Sequence, residues 1–102
     1  MLERDIEKKL RKGIAELGGV AYKFVSPGND GVPDRIVILP GGRIIFVELK
    51  TETGRLSGRQ NVQLERLNGL GCETIVLYGL IDVNLFLRAL HKEVSQGDIP
   101  PA

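Results

Sequence analysis

The first apolar positions of the chain recur at helical spacing. They lie three or four residues apart, with charged residues between them: Leu2, Ile6, Leu10, Ile14 and Leu17. This spacing predicts an amphipathic helix with one apolar face, and the pair Gly18 and Gly19 supplies its end.

Shorter apolar runs after this segment predict strands. Four runs are rich in β-branched and aromatic residues: 20–25, 36–39, 44–47 and 73–78. The two central runs flank Pro40-Gly41-Gly42, which is a strong hairpin signal. Ser57 and Gln60 fit a capping box that opens a helix reaching about Leu70, and Asp82 is a candidate cap for a last helix. The predicted order is αβββαβα, in which the fourth strand, reached through a helix, can lie parallel to the third.

Length and composition describe one domain. The chain has 102 residues, of which 42% are hydrophobic and 26% charged, enough for a single core. We predict a domain over residues 1–94 and a flexible C-terminal tail over residues 95–102, which contain two prolines and little apolar content. Cys72 and His91 are the only residues of their kinds, which excludes a disulfide framework and any mechanism that needs two histidines.

The charge balance argues at first against a nucleic-acid partner. Fourteen basic and thirteen acidic residues give a net charge of +1, although residues 1–66 carry twelve basic and nine acidic residues. The sequence has no apolar run of about eighteen residues and no phosphate-binding loop, so we expect neither membrane contact nor a nucleotide cofactor. Residues 1–5 do not resemble a signal peptide, and we expect a cytoplasmic protein, in the host cytoplasm if it is viral.

Three polar residues stand out beside the central hairpin. Asp34 precedes the second strand, and Glu48 and Lys50 end the third. Strand alternation puts Glu48 and Lys50 on the face that also carries Ile44 and Phe46. Ionised side chains are costly on a covered face unless they are paired or bind something.

The hairpin register decides what Glu48 faces, and the sequence allows two registers. With a Pro40-Gly41-Gly42 loop, Asp34 lies opposite Glu48, and two opposed carboxylates need a cation between them. With a two-residue Gly41-Gly42 turn, Arg35 lies opposite Glu48 in an ordinary ion pair. The first register predicts a metal site, and the second fits an interaction protein without catalysis.

A wider set of residues favours the first register by resemblance to a known family. The set is Gly18-Gly19, Tyr22-Lys23-Phe24, Ser26-Pro27, Gly31-Val32-Pro33-Asp34, Gly41-Gly42-Arg43, Phe46-Val47-Glu48-Leu49-Lys50 and Gln60. Its P-D and E-x-K elements resemble the signature of the PD-(D/E)XK nuclease superfamily. The ordered set, over about residues 3–78, resembles the VRR-NUC family, in particular its small stand-alone members from bacteriophages. This resemblance implies an α/β, restriction-endonuclease-like core, with a central mixed four-stranded sheet flanked by helices.

The resemblance also implies roles for the site residues. Asp34 and Glu48, helped by the Leu49 carbonyl, would bind Mg²⁺ or Mn²⁺, which are hard cations that prefer oxygen ligands. Lys50 would orient the attacking water and stabilise charge in the transition state. Gln60 matches a further catalytic position of the family. One glutamine side chain can hardly serve both that position and a capping box.

Other residues match the family less specifically. Glu3 corresponds to a glutamate of the first helix that reaches a metal-bound water or a second ion, and Glu7, one turn further on, is the alternative for that role. The candidate DNA contacts are basic or hydroxyl side chains: Lys12, Lys23, Ser26, Arg55 and Arg59.

We therefore expect a metal-dependent DNA endonuclease that hydrolyses phosphodiester bonds in branched DNA, such as a four-way (Holliday) junction or a flap. The chain has little room for a domain that reads bases. One site per chain makes paired cuts require a partner, most simply in a two-fold homodimer. The alternative is a catalytically silent DNA-binding or interaction subunit that retains the nuclease fold.

Overall fold

Within residues 2–101, three helices and four strands follow one another in the predicted order αβββαβα. The computed structural model describes residues 2–101, so Met1 and Ala102 lie outside the described residues. The elements are α1 (Glu3–Glu16), β1 (Val20–Lys23), β2 (Arg35–Leu39), β3 (Arg43–Lys50), α2 (Gly58–Gly69), β4 (Glu73–Tyr78) and α3 (Gly79–Ser95). The strands form one sheet in the order β1-β2-β3-β4. β1 and β3 pair antiparallel with β2, and β4 pairs parallel with β3, so the predicted mixed sheet is confirmed.

The main core lies between one face of the sheet and the helices α1 and α3. Ile45, Val47 and Leu49 alternate along β3 and are all buried against these helices. Burial of one such side chain contributes about 1.5–3 kcal/mol, so the apolar stripe of α1 holds this helix on the sheet. Within residues 2–101, none of the helices combines the length and the apolar character needed to cross a membrane.

The opposite face of the sheet is covered only in part. The helix α2 lies over this face near β4 and the end of β3, where the Gln60 side chain contacts Glu48. Away from α2, Tyr22 and Ile44 remain 59% and 47% exposed. Glu48 therefore sits on the more open face, under the start of α2.

The last helix begins earlier than its predicted cap. Asp82 lies inside the first turn of α3, whose N-cap residue is Tyr78. The Asp82 carboxylate accepts the backbone N–H of Tyr78 at 2.8 Å, so it still satisfies a free donor at this helix end. The predicted start was wrong because β4 runs directly into α3, with no loop between them to mark the boundary.

The end of the chain also differs from the prediction. We expected residues 95–102 to form a flexible tail, but Ser95 ends α3 and Ile99 is buried in the core with 1% exposure. The backbone N–H groups of Asp98 and Ile99 both donate to the Glu93 carbonyl, which turns the chain back onto the domain. The low apolar content of this segment did not show that its one isoleucine fills a core position.

Candidate active site

The register of the β2–β3 hairpin brings two carboxylates together. Arg35 pairs with Val47, which is the register of the three-residue loop. One residue earlier, Asp34 lies beside Glu48, and its Oδ2 accepts the backbone N–H of Leu49 at 2.9 Å. The hairpin therefore holds the Asp34 carboxylate against the end of β3.

Arg35 points away from this pair. Its guanidinium lies 3.5 Å from the carboxylate of Glu7 on α1, and it also donates to the carbonyl of Ala21 at 3.3 Å. The alternative in which Arg35 neutralises Glu48 is therefore wrong, because neighbouring strand residues point to opposite faces of the sheet. An ion pair with Arg35 therefore does not explain why Glu48 is buried.

Glu48 is a buried carboxylate with one oxygen satisfied and one free. Its side chain is 2% exposed, and its Oε2 accepts from Nε2 of Gln60 at 2.9 Å and lies 3.5 Å from Nζ of Lys50. Its Oε1 is buried and has no hydrogen-bond partner among residues 2–101. A buried acceptor without a partner costs about 1–3 kcal/mol. This oxygen is therefore poised to accept a ligand.

The electrostatics of the pair depend on burial and on like charge. Burial, and then the neighbouring Asp34 carboxylate, raise the pKa of Glu48 to about 7, while the Lys50 ammonium acts in the opposite direction. A cation near both carboxylates would favour the ionised form of each and relieve their repulsion. The site thus has the electrostatic character of a cation site.

Gln60 serves the helix start and the site at the same time. The side-chain Oε1 of Gln60 accepts the backbone N–H of Ser57 at 2.9 Å, and the backbone N–H of Gln60 donates to Ser57 Oγ at 3.1 Å. The side-chain Nε2 of Gln60 donates to the Glu48 carboxylate. The expectation that one side chain can hardly do both was wrong, because a primary amide has an acceptor at one end and donors at the other. A flipped amide would set its NH₂ against the Ser57 N–H and its oxygen against the carboxylate. The capping box therefore fixes which end of Gln60 faces Glu48.

A loop that the sequence marked only as irregular fastens the start of β2 to α2. Gly31 has φ +88°, and a Cβ there would lie 2.6 Å from the carbonyl carbon of Arg59. Asp30 forms an ion pair with Arg59, and its carbonyl accepts weakly from Gln63 at 3.4 Å. The loop thereby connects the segment before Asp34 to the start of α2, where Gln60 lies. The glycine next to Asp30 was the available signal for this contact.

The structure does not bring the two first-helix glutamates into the site. Within residues 2–101, no group of three or more Asp, Glu, His or Cys side chains is placed to hold a metal, so neither Glu3 nor Glu7 joins the carboxylate pair. Glu3 is exposed at the start of α1, and Glu7 faces Arg35. A guanidinium as buried as that of Arg35 needs a counter-ion. The roles expected for both glutamates stay predictions.

The candidate DNA contacts are divided between two sides of the molecule. Lys23 is exposed at the end of β1, and Arg55 is exposed in the loop before α2. Oγ of Ser26 accepts from the Asn29 side chain within its own loop at 2.9 Å. Lys12 lies on α1, beyond the opposite face of the sheet from Glu48. Of these four, Lys12 is thus separated from the site by the sheet.

The chain has the αβββαβα fold, and Asp34, Glu48 and Lys50 are grouped at the end of β3. Residues 4–80 match the VRR-NUC domain family, and the chain belongs to that family. The protein named "Putative nuclease p44" from Acyrthosiphon pisum secondary endosymbiont phage 1 is 51% identical to it over 75 residues, which are 74% of this chain and 81% of that protein.

Two solved structures share this architecture. One, described as a VRR_NUC domain, superposes with a TM-score of 0.79 at 31% identity and covers 84% of this chain and 94% of its own. A second, described as a VRR_NUC domain protein, has a TM-score of 0.68 at 13% identity, covers 93% and 89%, and is similar in fold alone. The predicted family and fold are therefore confirmed.

Proposed function

We propose that this nuclease is a metal-dependent endonuclease that hydrolyses phosphodiester bonds in branched DNA. Membership of the VRR-NUC family and the name of the phage relative support nuclease activity. The observation that carries the metal dependence is the buried, unpartnered Oε1 of Glu48 beside the Asp34 carboxylate. The phage source of that relative favours a place of action in the cytoplasm of a host cell.

The donors at this site fit Mg²⁺ or Mn²⁺. These ions take oxygen ligands and keep several waters, so two carboxylates, with the predicted Leu49 carbonyl, form a suitable set. Such a set of donors, unlike a cysteine and histidine cluster, does not favour zinc. When bound, the ion would supply Lewis acidity toward the phosphodiester and lower the pKa of a coordinated water.

The residues around the carboxylates hold the reacting groups in place. The Leu49 N–H orients Asp34, and the Gln60 amide orients Glu48, each at 2.9 Å. The Lys50 ammonium lies at the same edge of the sheet with 19% of its side chain exposed, so it can reach a phosphate oxygen or the attacking water. A fixed cation there stabilises the charge that develops on the phosphate during attack.

Selection of branched DNA is proposed because the described helices α1, α2 and α3 all pack on the sheet, so that shape is the feature of DNA that this domain would read. Cutting two strands of a junction at related positions requires two sites. A two-fold homodimer supplies them, and its mass in sedimentation equilibrium would be twice 11.2 kDa.

The test is a cleavage assay on three DNA substrates. The purified protein is incubated with a four-way junction, a flap and a linear duplex, each in Mg²⁺, Mn²⁺ or EDTA. We expect the branched substrates to be cut only with metal, and Lys50→Ala and Asp34→Ala to abolish cutting while junction binding remains. Glu65→Ala, at an exposed position of α2, is the control that keeps wild-type activity.

The outcomes separate the parts of the proposal. Absence of cleavage with either metal would overturn the nuclease proposal, and junction binding without cleavage would identify the silent subunit considered above. Equal cutting of the linear duplex would retain the nuclease and remove its selectivity for branches. A sedimentation mass of 11.2 kDa at assay concentration would remove the homodimer.

A further inference from the structure

A groove between α1 and α3 collects basic side chains on the far side of the sheet from Glu48. Its floor is the contact of Gly13 with Leu87, where a Cβ on residue 13 would lie 2.3 Å from Cδ1 of Leu87, so the two helices approach closely only because of the glycine. The groove encloses about 390 Å³. Its rim carries exposed, mostly basic side chains: Lys9, Lys12, Arg88 and His91, with Glu16 as the one acid.

The positive charge extends beyond the rim and is not neutralised by the protein. Lys8 and Arg11 continue it along α1, and Lys92 continues it along α3. None of these Lys and Arg side chains forms an ion pair within residues 2–101. The nearest acid of α3, Glu93, is already paired with Arg43 at 2.8 Å. Together these side chains form the basic groove: Lys8, Lys9, Arg11, Lys12, Arg88 and Lys92.

We infer that the basic groove binds the sugar-phosphate backbone of a second duplex arm of a branched DNA. Duplex DNA carries one negative charge per about 1.7 Å of its axis, which suits a row of unpaired cations along two adjacent helices. The inference rests on the proposed function, because it assigns the first arm to the site at Glu48.

The position of the groove is the reason for assigning it to a second arm. The groove opens on the outer side of the α1 and α3 layer, whereas Glu48 lies on the opposite face of the sheet. A straight duplex is stiff over the 37 Å length of this molecule, and bending a short site strongly costs about 1–6 kcal/mol. A single linear duplex at Glu48 therefore does not reach the groove, but a branch point can direct another arm to it.

The experiment compares binding of a four-way junction and of a linear duplex of equal arm length by fluorescence anisotropy in EDTA. The test variant is Lys12→Glu combined with Arg88→Glu. The matched control is Arg66→Glu, which reverses an exposed arginine on α2 outside the groove, and circular dichroism verifies that all variants fold. We expect the double variant to bind the junction about tenfold more weakly, with the slope of log K against log salt reduced by about two. Its affinity for the linear duplex, and both affinities of the control, should not change.

Two results would overturn the inference. Unchanged junction affinity in the double variant would show that DNA does not bind in the basic groove. An acidic protein would then be the expected partner of this surface. An equal loss for junction and linear duplex would show that the groove contacts whichever duplex lies at the site. Because the measurement needs no divalent ion and no cleavage, a protein that binds junctions without cutting them would refute the proposed function and leave this inference standing.

Discussion

A single buried carboxylate, that of Glu48, determines the chemistry that the site can support. It is held at one oxygen by Gln60 and left without a partner at the other, on a strand whose neighbouring residues are apolar. Burial and the Asp34 carboxylate raise the pKa of Glu48 from its ordinary value of about 4.5 to about 7, because both disfavour the ionised form. A protein without bound cation therefore carries a cost at Glu48 that a cation would remove.

The first prediction concerns the pH dependence of stability without metal. Between about pH 4.5, the ordinary value for a glutamate, and about pH 7, the folded chain keeps the Glu48 proton that the unfolded chain has released. The free energy of unfolding contributed by this group therefore falls as the pH rises through that window, by about 3 kcal/mol in full. Glu48→Gln removes this fall and makes the variant more stable than the wild type at about pH 8.

Urea unfolding in EDTA at about pH 5 and about pH 8 measures this effect. The difference between wild type and variant reports Glu48 together with its interaction with Asp34, because the remaining titrating groups are common to both. A wild type that gains stability relative to Glu48→Gln as the pH rises would contradict the account.

The second prediction separates the two roles of Gln60. Ser57→Ala and Gln60→Ala each break one arm of the capping box and should each lower the free energy of unfolding by about 1 kcal/mol. Only Gln60→Ala removes the donor to Glu48, so it should lower the cleavage rate by about 10–100-fold, while Ser57→Ala stays within about twofold of wild type. Equal losses of activity in both variants would show that Gln60 acts only through helix stability.

At the residue scale, the sequence named the side chains that the structure brings together at the end of β3, but it did not predict all of their contacts. Strand alternation placed Glu48 and Lys50 on one face, and one of the two hairpin registers placed Asp34 opposite Glu48. The family resemblance added Gln60. The register remained open because both candidate turns suit Pro40-Gly41-Gly42, and only the paired backbones distinguish them. The two side-chain contacts of Gln60, with Ser57 and with Glu48, were not predictable, because residue spacing does not show that the oxygen and the nitrogen of one amide contact different partners.

At the element scale, the loop before β2 connects the sheet to α2 through contacts of Asp30 and Gly31 with Arg59. The third prediction compares two glycines of this loop, Gly28 and Gly31, with φ of +82° and +88°. Alanine at either position meets the left-handed backbone cost of about 1–2 kcal/mol. Only at Gly31 does the added Cβ collide with the α2 backbone, whereas no atom lies within 4 Å at Gly28.

Gly31→Ala should therefore destabilise the protein by about 1–3 kcal/mol more than Gly28→Ala, and it should lower cleavage because it displaces Asp34 from Gln60. Thermal unfolding and the junction assay together measure the two effects. Equal stability and equal activity of the two variants would mean that the contact of this loop with α2 does not position the site.

The elements themselves were largely predictable, and their boundaries were less so. The apolar spacing of α1 and the β-branched runs of all four strands correspond to the observed elements. The start of α3 was misplaced because Asp82 serves the helix end from within its first turn. The spacing of apolar residues predicts that a strand or a helix is present. It does not show where β4 ends and α3 begins, because no turn separates them.

At the scale of the whole molecule, the C-terminal segment is part of the domain. The fourth prediction is that Ile99→Ala lowers the free energy of unfolding by about 2–5 kcal/mol, as expected for a fully buried isoleucine. The exposed neighbour Pro101 gives the control, since Pro101→Ala should change stability by less than about 1 kcal/mol. Equal chemical-denaturation midpoints for the two variants would contradict the packing of this segment.

The near-zero net charge conceals a separation of charge across the molecule. Unpaired lysines and arginines gather on the outer surface of α1 and α3, while the two site carboxylates lie on the other face of the sheet. Net charge alone could not show this, because +1 is the sum of regions with opposite tendencies. Of the basic groove, only Lys12 was named from the sequence, because the groove forms from two helices, α1 and α3, that are far apart in the chain.

The most direct test of the central claim is whether Asp34 and Glu48 bind a divalent cation. Isothermal titration of Mn²⁺ into the wild type, Asp34→Asn and Glu48→Gln measures this without DNA and without catalysis, and Glu65→Ala serves as the exposed-acid control. We expect saturable binding in the wild type and in Glu65→Ala, and its loss in both site variants. An unchanged isotherm in the two site variants, or no binding by the wild type, would contradict the account.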